Sequence, residues 1–392
     1  MRIVFLSAWF PHRPLNGSRL RVNLLLRSLA ARHEVALLSF ADRPDVDPAA
    51  AEMRALCRTV EVLPQPRFDP AAWRSRLAWL GAAPRSLTAT FSQPMADAVA
   101  RAARACDVVV ASQLSCAAYA PYFGGAPALF EEVELGAPHG RVGHAAGAER
   151  WRAQLSWLKY RRYLRGLLQR FRACTVVSER ERALVAAVLG DGRAIHVLPN
   201  GVAVGDYACQ ATRRPDVAIF TGALSYAPNY DGMKWFIGEV WPRVRRARPG
   251  ARLVITGDAG NRQLPATDGV DQVGLVDDVR PLLAAATLAV APIFAGGGTR
   301  LKILEAMAAG TPVVATAKGA EGIDAVDGQH LLLGDEPAAF AGHVIAVLED
   351  AALRDRLSQA AHQLVEARYD WRVLGPRFES LVSSVAGMHE DS

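Results

Sequence analysis

The sequence predicts an α/β protein of two similar domains, each a parallel sheet covered by helices on both faces. Short runs rich in Val, Ile and Leu alternate with helical patterns along the 392 residues. The runs are continuously apolar, as expected for strands that are buried on both faces. The alternation breaks once, at the Pro-, Asn- and Arg-containing segment 197–215, and then restarts. Repeated βα units of this kind indicate a doubly wound fold.

Apolar runs predict six strands before this break and six after it. The first six are expected at 2–7, 34–40, 58–63, 107–112, 128–132 and 174–178, with a helix at 18–32 between the first two. The second six are expected at 216–222, 251–257, 271–274, 287–292, 311–316 and 330–334. The domains are expected to span 1–200 and 201–375. Two sheets joined by a short link imply a cleft between the domains, which is the default place for a ligand.

The composition excludes several classes of protein. Hydrophobic residues make up 51% and charged residues 21%, which is typical of a globular protein with a full core. No apolar run reaches the ~18 residues that cross a bilayer. The first run ends at Pro11 without the small-residue cleavage site of a signal peptide. A cytoplasmic protein is therefore expected.

Net charge and cysteine usage narrow the possible partners. The net charge of +6 suits an acidic ligand or an anionic surface. The basic residues are dispersed, and neither a zinc finger nor an aromatic-basic RNA motif occurs, so no nucleic-acid partner is expected. The five cysteines have no close pair and no companion histidine, which argues against a disulfide framework or a zinc site.

The segment AGGGTRLKILEAMAAGTPVVAT (295–316) places three glycines and two cations at the start of a predicted helix. The amino end of a helix is already positive, so Arg300 and Lys302 oppose its dipole. A local conflict of this kind often marks a functional site. Glycines let backbone amides approach a ligand closely and form a concave anion site. Together these features predict a phosphate site, most naturally for a diphosphate.

The turn of this segment consists of Gly296, Gly297 and Gly298, with Thr299 expected as the N-cap and Gly310 at the C-cap. The alternative is an ordinary βα turn whose basic residues face water. The segment lacks the Gly-Lys-Ser/Thr of a Walker loop and the G-x-G-x-x-G of a dinucleotide fold, so neither of those sites is predicted.

Five segments, in the order of the family, resemble the retaining nucleotide-sugar glycosyltransferases of family four, which have the GT-B fold. They are CTVVSERE (174–181), LPNGV (198–202), FTGALSYAPNYDGMKWF (220–236), GLVDDVRPLLAAATLAVAP (274–292) and the GGGTRLK-containing segment, and the resemblance covers nearly the whole chain. It implies two Rossmann-like αβα domains whose parallel sheets face each other across a cleft, with a terminal helix at 376–392 that crosses back. It also implies a nucleoside-diphosphate sugar as donor and a hydroxyl acceptor, either a glycan, a lipid-linked sugar or a small metabolite.

The resemblance assigns roles to residues of the second domain. Glu305 matches the second Glu of the family's E-x7-E motif, which binds the ribose hydroxyls, while the first Glu is replaced by Gly297. The backbone amides of the turn 297–299 are then expected to bind the nucleotide sugar. Arg300 and Lys302 are expected to hold the diphosphate.

The family's other basic pair follows the first strand of the second domain, where this chain offers Gly222, Asn229 and Lys234. Gly222 and Asn229 are expected to line the nucleotide-sugar site, which leaves Lys234 as the cation of this region. The GLVDDV segment resembles the loop whose backbone reads the base, near Val276.

In the first domain, PLNGSRLR (14–21) resembles the glycine loop that closes over the donor phosphates and the acceptor, and Gly17 would permit that approach. Arg19 and Arg21 then either contact the acceptor or form a solvated face.

A second feature of the first domain lies at the end of its strand at 128–132. Many family members have a His there, whereas this chain has Glu131 or Glu132, followed by His139 and His144. Glu131 is predicted as a catalytic group that orients the acceptor hydroxyl or stabilises positive charge developing on the sugar. The alternative is a strand-end carboxylate bound to backbone amides.

The sequence offers no carboxylate pair of the kind that a covalent intermediate requires. The resemblance therefore implies front-face transfer with retention, in which the leaving phosphate oxygen accepts the proton of the acceptor. Arg300 and Lys302 would stabilise the departing diphosphate, so neither a cofactor nor a metal is expected. A D-x-D string at 45–47 lies between two prolines and is interpreted as a turn.

Two other functions stay open at this point. One is a non-hydrolysing sugar-nucleotide epimerase. The other is an inactive scaffold that binds a nucleotide sugar, an interpretation motivated by Gly297 and by the missing strand-end His.

The segment 150–174 is predicted to be helical and carries eight Lys or Arg among Trp, Tyr and Leu. It either lies against anionic lipid, as a peripheral contact at the inner face of the membrane, or buries an apolar stripe in the core and turns its basic face to water.

Overall fold

The chain divides into two compact units in a computed structural model that describes residues 1–12, 17–43, 46–69, 71–78, 81, 83–136, 147–190, 194–208, 211–296 and 300–387. Unit 1 comprises Met1–Pro199 and Gly375–Ser392, and unit 2 comprises Asn200–Leu374. Each unit has its own parallel sheet and its own hydrophobic core.

The described part of unit 1 contains a seven-stranded parallel sheet. Its strands are β1 (Arg2–Ser7), β2 (Glu34–Ala41), β3 (Thr59–Pro64), β4 (Val108–Ser112), β5 (Ala128–Glu131), β6 (Ala173–Val176) and β7 (Ala194–Val197). Their order in the sheet is β3-β2-β1-β4-β5-β6-β7. The helices between them are α1 (Gly17–Ala30), α2 (Ala51–Leu56), α3 (Trp73–Leu77), α4 (Arg85–Ala89), α5 (Gln93–Ala103), α6 (Gln113–Ala117), α7 (Gly147–Leu168) and α8 (Glu179–Leu189).

Strand β1 lies in the middle of this sheet, which explains its continuously apolar sequence. Ile3 pairs in register with Val35 of β2 and with Val108 of β4, and β1 is buried from its second residue onward. A parallel strand covered on both faces has no side on which polar residues meet water. The six predicted strands of this half are confirmed. The structure adds β7, which the apolar pattern does not reveal because its residues alternate between exposed and half-buried positions.

The end of α7 differs from the prediction. The predicted helix continues to 174, whereas α7 ends at Leu168 and residues 173–176 form β6, buried between β5 and β7. Phe171, in the turn between α7 and β6, is buried in the core of unit 1. The boundary is missed because the apolar residues of this turn and of β6 continue the helical spacing.

Unit 2 contains a six-stranded parallel sheet among its described residues. Its strands are β8 (Val217–Thr221), β9 (Arg252–Thr256), β10 (Val270–Gly274), β11 (Leu288–Ala291), β12 (Val313–Ala315) and β13 (Leu332–Leu333), in the order β10-β9-β8-β11-β12-β13. Its helices are α9 (Ala227–Trp235), a π-helical turn at Phe236–Val240, α10 (Trp241–Ala247), α11 (Arg280–Ala285), α12 (Leu301–Ala308), α13 (Pro337–Glu349), α14 (Ala351–Arg368) and α15 (Trp371–Ala386). All six predicted strands of this half are confirmed.

The last helix, α15, begins in unit 2 and belongs to unit 1 from Gly375 onward. In unit 1, Glu379 Oε1 lies 2.7 Å from His33 Nε2, and Arg172 donates to the carbonyl of Val385 at 2.8 Å. Throughout the described ranges, no helix combines the length and the apolarity that crossing a bilayer requires.

A close approach between helix and backbone fixes α9 in unit 2. Gly232 of α9 faces the carbonyl of Pro292, the first residue after β11, and a Cβ at position 232 would overlap the carbonyl oxygen. Only glycine permits this separation, because every other side chain begins with a Cβ. The contact holds α9 against the loop that follows β11.

We expect Gly232→Ala to destabilise unit 2 by about 1–3 kcal/mol, because the backbone oxygen of Pro292 cannot yield as a flexible side chain would. The measurement is the midpoint of unfolding in urea. Gly238→Ala is the matched control: no atom lies within 4 Å of its added Cβ, so its midpoint should stay unchanged or rise slightly. Equal midpoints for the two variants would contradict the close approach.

Candidate functional site

The predicted phosphate segment follows β11, whose four residues are all buried. Arg300 occupies the N-cap position of α12, with φ −82° and ψ 88°, and makes no side-chain capping hydrogen bond. The N-cap predicted at Thr299 is therefore one residue too early. Gly296 has φ +95°, a conformation that favours glycine. Gly297, Gly298 and Thr299 themselves lie outside the described residues.

The side chain of Lys302 lies against uncharged groups. Its Nζ donates to Asn229 Oδ1 at 2.8 Å and lies 4.1 Å from the ring centroid of Phe220, a cation–π distance. Asn229 is fixed in turn, because its Nδ2 donates to the carbonyl of Ala223 at 2.7 Å. A Cβ at Gly222 would approach Nζ to 2.6 Å, so the ammonium fits only beside a glycine. The structure therefore brings together Gly222, Asn229 and Lys302.

The electrostatic state of Lys302 is unusual for a lysine. Burial, followed by the charge of Arg300, lowers its pKa to about 7, while Glu305 acts in the opposite direction. No carboxylate of a described residue lies within ion-pair distance of its ammonium. An anion bound beside the two cations would offset both effects. A lysine perturbed in this way is typical of a functional site and not of a solvated βα turn.

Arg300 lies close to the glycine turn and to Tyr226. It is 9% exposed, and its Nη2 donates to the carbonyl of Ala295 at 3.0 Å. A Cβ at Gly296 would meet Tyr226 Oη at 2.5 Å and the Nη atoms of Arg300 at 3.3 Å. Tyr226 precedes α9 and is exposed. Tyr226 is not among the predicted site residues, because an aromatic residue before a Pro-containing helix has no local sequence signature.

Glu305 lies one turn after Lys302 on α12. Its Oε1 accepts a hydrogen bond from Tyr207 Oη at 2.9 Å, and burial raises its pKa while that hydrogen bond and Lys302 act in the opposite direction. Oε2 receives no hydrogen bond from any residue that the structure describes. The carboxylate is therefore held by one oxygen and offers the other. Tyr207 is missed by the sequence analysis, because it lies in the connection between the two sheets, without apolar periodicity.

Two predicted residues lie apart from this group. Lys234 is exposed near the end of α9, so it is not the cation of this site. Val276 lies in the loop between β10 and α11 and is partly exposed. In that loop Asp278 accepts from the amide of Arg280 at 2.9 Å, and Arg280 Nη1 donates to the carbonyl of Asp206 at 3.3 Å. The loop is thereby connected to the segment that carries Tyr207.

In unit 1, the predicted catalytic residue Glu131 belongs to a buried ion pair. Arg21 Nε donates to Glu131 Oε1 at 2.7 Å, and Ser112 Oγ donates to Oε2 at 2.6 Å. The guanidinium of Arg21 also donates to the carbonyls of Pro199 and Leu198, each at 3.0 Å. Arg21 is 2% exposed and Glu131 0%.

These contacts correct two expectations. Arg21 neither forms a solvated face nor contacts an acceptor, because its guanidinium is buried and bonded to the protein. Glu131 is a strand-end carboxylate, and both of its oxygens accept hydrogen bonds. The donors are the side chains of Arg21 and Ser112, whereas the alternative interpretation predicts backbone amides. The neighbouring Glu132 is partly exposed and accepts a hydrogen bond from Gln113 Nε2 at 3.1 Å. Glu132 is therefore the accessible carboxylate at this strand end.

The remaining predictions in unit 1 concern its first loop and its histidines. Gly17 is the first residue of α1 and is exposed. Arg19 Nε donates to Asp42 Oδ2 at 3.1 Å, an ion pair and not a solvated face. Residues 14–16, His139 and His144 lie outside the described residues.

The D-x-D string shows the predicted turn at its second aspartate, where Asp47 accepts from the amide of Ala49 at 2.9 Å. Asp45 is outside the described residues. Elsewhere in the described chain, no three His, Cys, Asp or Glu side chains converge as metal ligands.

We expect Glu131→Ala to destabilise the protein by about 3–5 kcal/mol, because the variant leaves the buried guanidinium of Arg21 without its partner. The free energy of unfolding measures the loss. Glu61→Ala is the matched control, since Glu61 pairs with Arg101 on the surface and such pairs contribute less than about 1 kcal/mol. A loss at Glu131 as small as the control would show that Arg21 does not depend on it.

Comparison with known proteins identifies two family domains in the chain. Residues 15–205 match the Glycosyltransferase Family 4 domain, and residues 215–350 match the Glycosyl transferases group 1 domain. The first match lies in unit 1 apart from its last residues, and the second lies in unit 2.

Among curated proteins, the chain is 33% identical over 208 residues to the phosphatidyl-myo-inositol mannosyltransferase of Mycobacterium tuberculosis, covering 48% of this chain and 54% of that protein. It is 30% identical over 208 residues to the glycogen synthase of the same organism, covering 48% and 49%. The chain thus spans about half the length of the curated relatives it matches.

Solved structures are similar over nearly the whole chain. Anabaena Alr3699/HepE in complex with UDP has a TM-score of 0.69 at 18% identity, over 98% of this chain and all of that one. Sucrose-phosphate synthase from Thermosynechococcus elongatus has a TM-score of 0.72 at 16% identity, over 99% and 100%. Together with the two Rossmann-like sheets, these similarities confirm the predicted GT-B fold class. With both family domains present in order and the fold shared end to end, the chain belongs to the group 1 and family 4 glycosyltransferases.

Proposed function

We propose that this protein transfers a sugar from a nucleoside-diphosphate donor to a hydroxyl acceptor with retention of configuration, without a metal or a cofactor. The observation that carries the proposal is the ammonium of Lys302, which lies beside Arg300 on uncharged partners. Two cations at the start of a helix, with no carboxylate to neutralise Lys302, suit a diphosphate.

The donor would be bound in unit 2. Lys302, Arg300 and backbone amides of the first turn of α12 would hold the diphosphate, and the sugar would lie at the turn 297–299, which is outside the described residues. Glu305 would accept hydrogen bonds from the ribose through Oε2, because Tyr207 already fixes Oε1. With the ribose at Glu305, the base would lie toward the loop of Val276, because Arg280 at the end of this loop donates to the carbonyl of Asp206, the residue before Tyr207.

The proposed reaction needs no basic side chain. It needs the donor and the acceptor to be held in the correct orientation, and positive charge beside the departing diphosphate. In front-face transfer the departing phosphate oxygen takes the proton of the acceptor hydroxyl while the new glycosidic bond forms on the same face. Lys302 and Arg300 would stabilise the charge that develops on that oxygen. Loss of one preorganised donor of this kind typically raises the barrier by about 3–4 kcal/mol.

We propose a lipid-linked acceptor, with α7 as a contact to an anionic membrane surface. The relative named as a phosphatidyl-myo-inositol mannosyltransferase supports a lipid acceptor. On α7, Trp151, Leu155 and Leu158 are 76%, 52% and 65% exposed, and their spacing places them on one face. Near the carboxyl end, by contrast, Leu164 and Leu167 are buried in the core.

Basic residues border this exposed apolar face. Arg150, Arg152 and Arg162 are exposed, and a groove of about 710 Å³ is lined by Leu155, Leu158, Lys159, Arg161 and Arg162, among others. Trp and Leu beside Arg on one helix face are typical of segments that lie in the interface of an anionic bilayer. The exposed apolar side chains in the amino-terminal half of α7 therefore support a contact with lipid. The carboxyl-terminal half instead packs its apolar side chains into the core, as the alternative interpretation predicts.

We expect UDP or GDP to raise the melting temperature of the protein, since a ligand bound only by the folded state stabilises it. Lys302→Ala should abolish this shift. Lys234→Ala, which removes an exposed lysine of α9, is the matched control and should keep it. An unchanged shift in Lys302→Ala would exclude Lys302 from the site.

The same site predicts a pH dependence. The free ammonium of Lys302 has a pKa of about 7, so it is largely neutral at higher pH, and binding a diphosphate must restore its proton. Affinity should therefore fall by about tenfold from about pH 8 to about pH 9. Calorimetry in two buffers of different ionisation enthalpy should detect uptake of one proton. Lys302→Arg, which stays charged, should show no such uptake.

We expect the wild-type protein to sediment with vesicles of phosphatidylcholine and phosphatidylglycerol, and less at high salt. The triple variant W151A/L155A/L158A should lose at least about tenfold in affinity, because each side chain contributes roughly 1.5–3 kcal/mol when buried. Val326→Ala, at an exposed apolar residue of unit 2, is the control. Equal sedimentation of the triple variant and the control would exclude α7 as the contact.

A further inference from the structure

We infer that the donor is a ribonucleoside diphosphate sugar and not a deoxyribonucleoside diphosphate sugar, with Tyr207 as the positioning residue that holds the carboxylate of Glu305 toward the ribose. The inference rests on the proposed function, because it narrows the donor of that reaction. Every residue that carries it belongs to unit 2.

Tyr207 is fixed by packing at the end of a short 3₁₀ helix, Val204–Tyr207. Its side chain is 8% exposed and belongs to the buried cluster that contains Ile303 and Leu304 of α12. Glu305 is the next residue on this helix. The phenol and the carboxylate are therefore held in position by the same core.

The hydroxyl of Tyr207 depends on Glu305. Its Oη donates to Glu305 Oε1 at 2.9 Å, and no other described residue accepts from it. A buried donor that lacks an acceptor is unfavourable. Because the hydroxyl requires an oxygen at this place, it fixes which oxygen of the carboxylate faces the core and leaves Oε2 for a ligand.

The same hydrogen bond keeps Glu305 apart from Lys302. Residues three apart on a helix are neighbours, and a Lys–Glu pair can form at this spacing. The ammonium of Lys302 instead donates to Asn229, and no carboxylate of a described residue lies within ion-pair distance of it. Tyr207 thus holds the carboxylate where it does not neutralise the cation, so that both groups are open to a ligand.

An open carboxylate oxygen selects a ligand group that donates hydrogen bonds. Burial raises the pKa of Glu305, while the Tyr207 hydrogen bond and Lys302 lower it, and a hydroxyl that donates to Oε2 would add to the lowering. An ionised carboxylate only accepts, and each of its oxygens can accept about two hydrogen bonds. Oε2 can therefore accept from both neighbouring hydroxyls of a ribose, whereas a 2′-deoxyribose offers one.

A sugar without the 2′-hydroxyl should bind less tightly for a physical reason. Binding removes water from Glu305, and an acceptor that loses water without gaining a donor is unfavourable. Sites built to bond a hydroxyl therefore reject analogues that lack it. Because Tyr207 prevents the carboxylate from turning to another partner, rotation does not relieve this penalty.

The test compares two ligands that differ by a single hydroxyl. They are UDP or GDP, whichever binds the wild type more tightly, and its 2′-deoxy counterpart, with each Kd measured by calorimetry at neutral pH. The wild type should bind the ribonucleotide at least about tenfold more tightly. Because base and diphosphate are the same, the ratio of the two Kd values reports on the sugar alone.

Tyr207→Phe keeps the ring in the core and removes the hydroxyl. It should lower the ratio by about twofold to tenfold, the contribution of one hydrogen bond. Tyr230→Phe is the matched control, because it removes a hydroxyl that donates to the carbonyl of Gln263 on the surface, and it should keep the wild-type ratio. A purely structural role of Tyr207 would weaken the binding of both ligands equally and leave the ratio unchanged.

A double-mutant cycle shows whether Tyr207 acts through Glu305. Glu305→Ala should remove most of the discrimination. The variant Y207F/E305A should have the same ratio as Glu305→Ala, because residues that act as one unit are not additive. A further drop in the double variant would mean that Tyr207 contacts the sugar itself and would overturn its assignment as a positioning residue.

The outcomes separate this inference from the function on which it rests. If the wild type binds neither UDP nor GDP, the proposed function and the inference both fail. If it binds one of them and the 2′-deoxy counterpart equally well, the diphosphate site stands and the inference alone is overturned. Equal ratios in Tyr207→Phe and Tyr230→Phe would remove Tyr207 as a positioning residue, and a wild-type ratio in Glu305→Ala would remove the ribose contact at Glu305.

Discussion

The candidate site of unit 2 depends on one interaction, the placement of the Lys302 ammonium against the ring of Phe220 and the amide oxygen of Asn229. Phe220 and Asn229 hold the charge in position without neutralising it. A carboxylate at the same place would have given an ordinary ion pair and a satisfied structure. Gly222, the start of α12 and Glu305 lie around a lysine that has no described carboxylate within ion-pair distance, an arrangement that an anionic ligand would stabilise.

In unit 1, by contrast, the buried cation at a strand end is paired with a carboxylate of the protein itself. Arg21 and Glu131 form a buried pair at the end of β5, and the guanidinium also donates to the backbone carbonyls of Leu198 and Pro199. Both oxygens of Glu131 are occupied by hydrogen bonds. The partly exposed Glu132, which accepts from Gln113, is therefore the accessible carboxylate at this strand end. A strand end thus carries one structural and one available acid on consecutive residues.

Sequence patterns predict much of this fold and part of its site. Continuous apolar runs locate twelve strands, and the glycine-rich segment locates α12, because both signals are local. The half-exposed β7 and the end of α7 give no such signal. The pairing of Glu131 joins residues 110 apart, and that of Tyr207 with Glu305 joins residues 98 apart. Nor does composition reveal the left-handed backbone at Glu132, which the surrounding sheet enforces.

Gly222 and Lys302 are distant in sequence, yet the ammonium occupies the space that a Cβ at position 222 would need. The dependence runs in one direction. A methyl group at 222 displaces the amine, whereas a shorter side chain at 302 still leaves glycine favoured at 222, by its φ of +146° and by Asn229 Nδ2, 3.0 Å from an added Cβ. In an alignment of close homologues, a lysine at 302 should therefore occur together with glycine at 222, while glycine at 222 should also occur without that lysine.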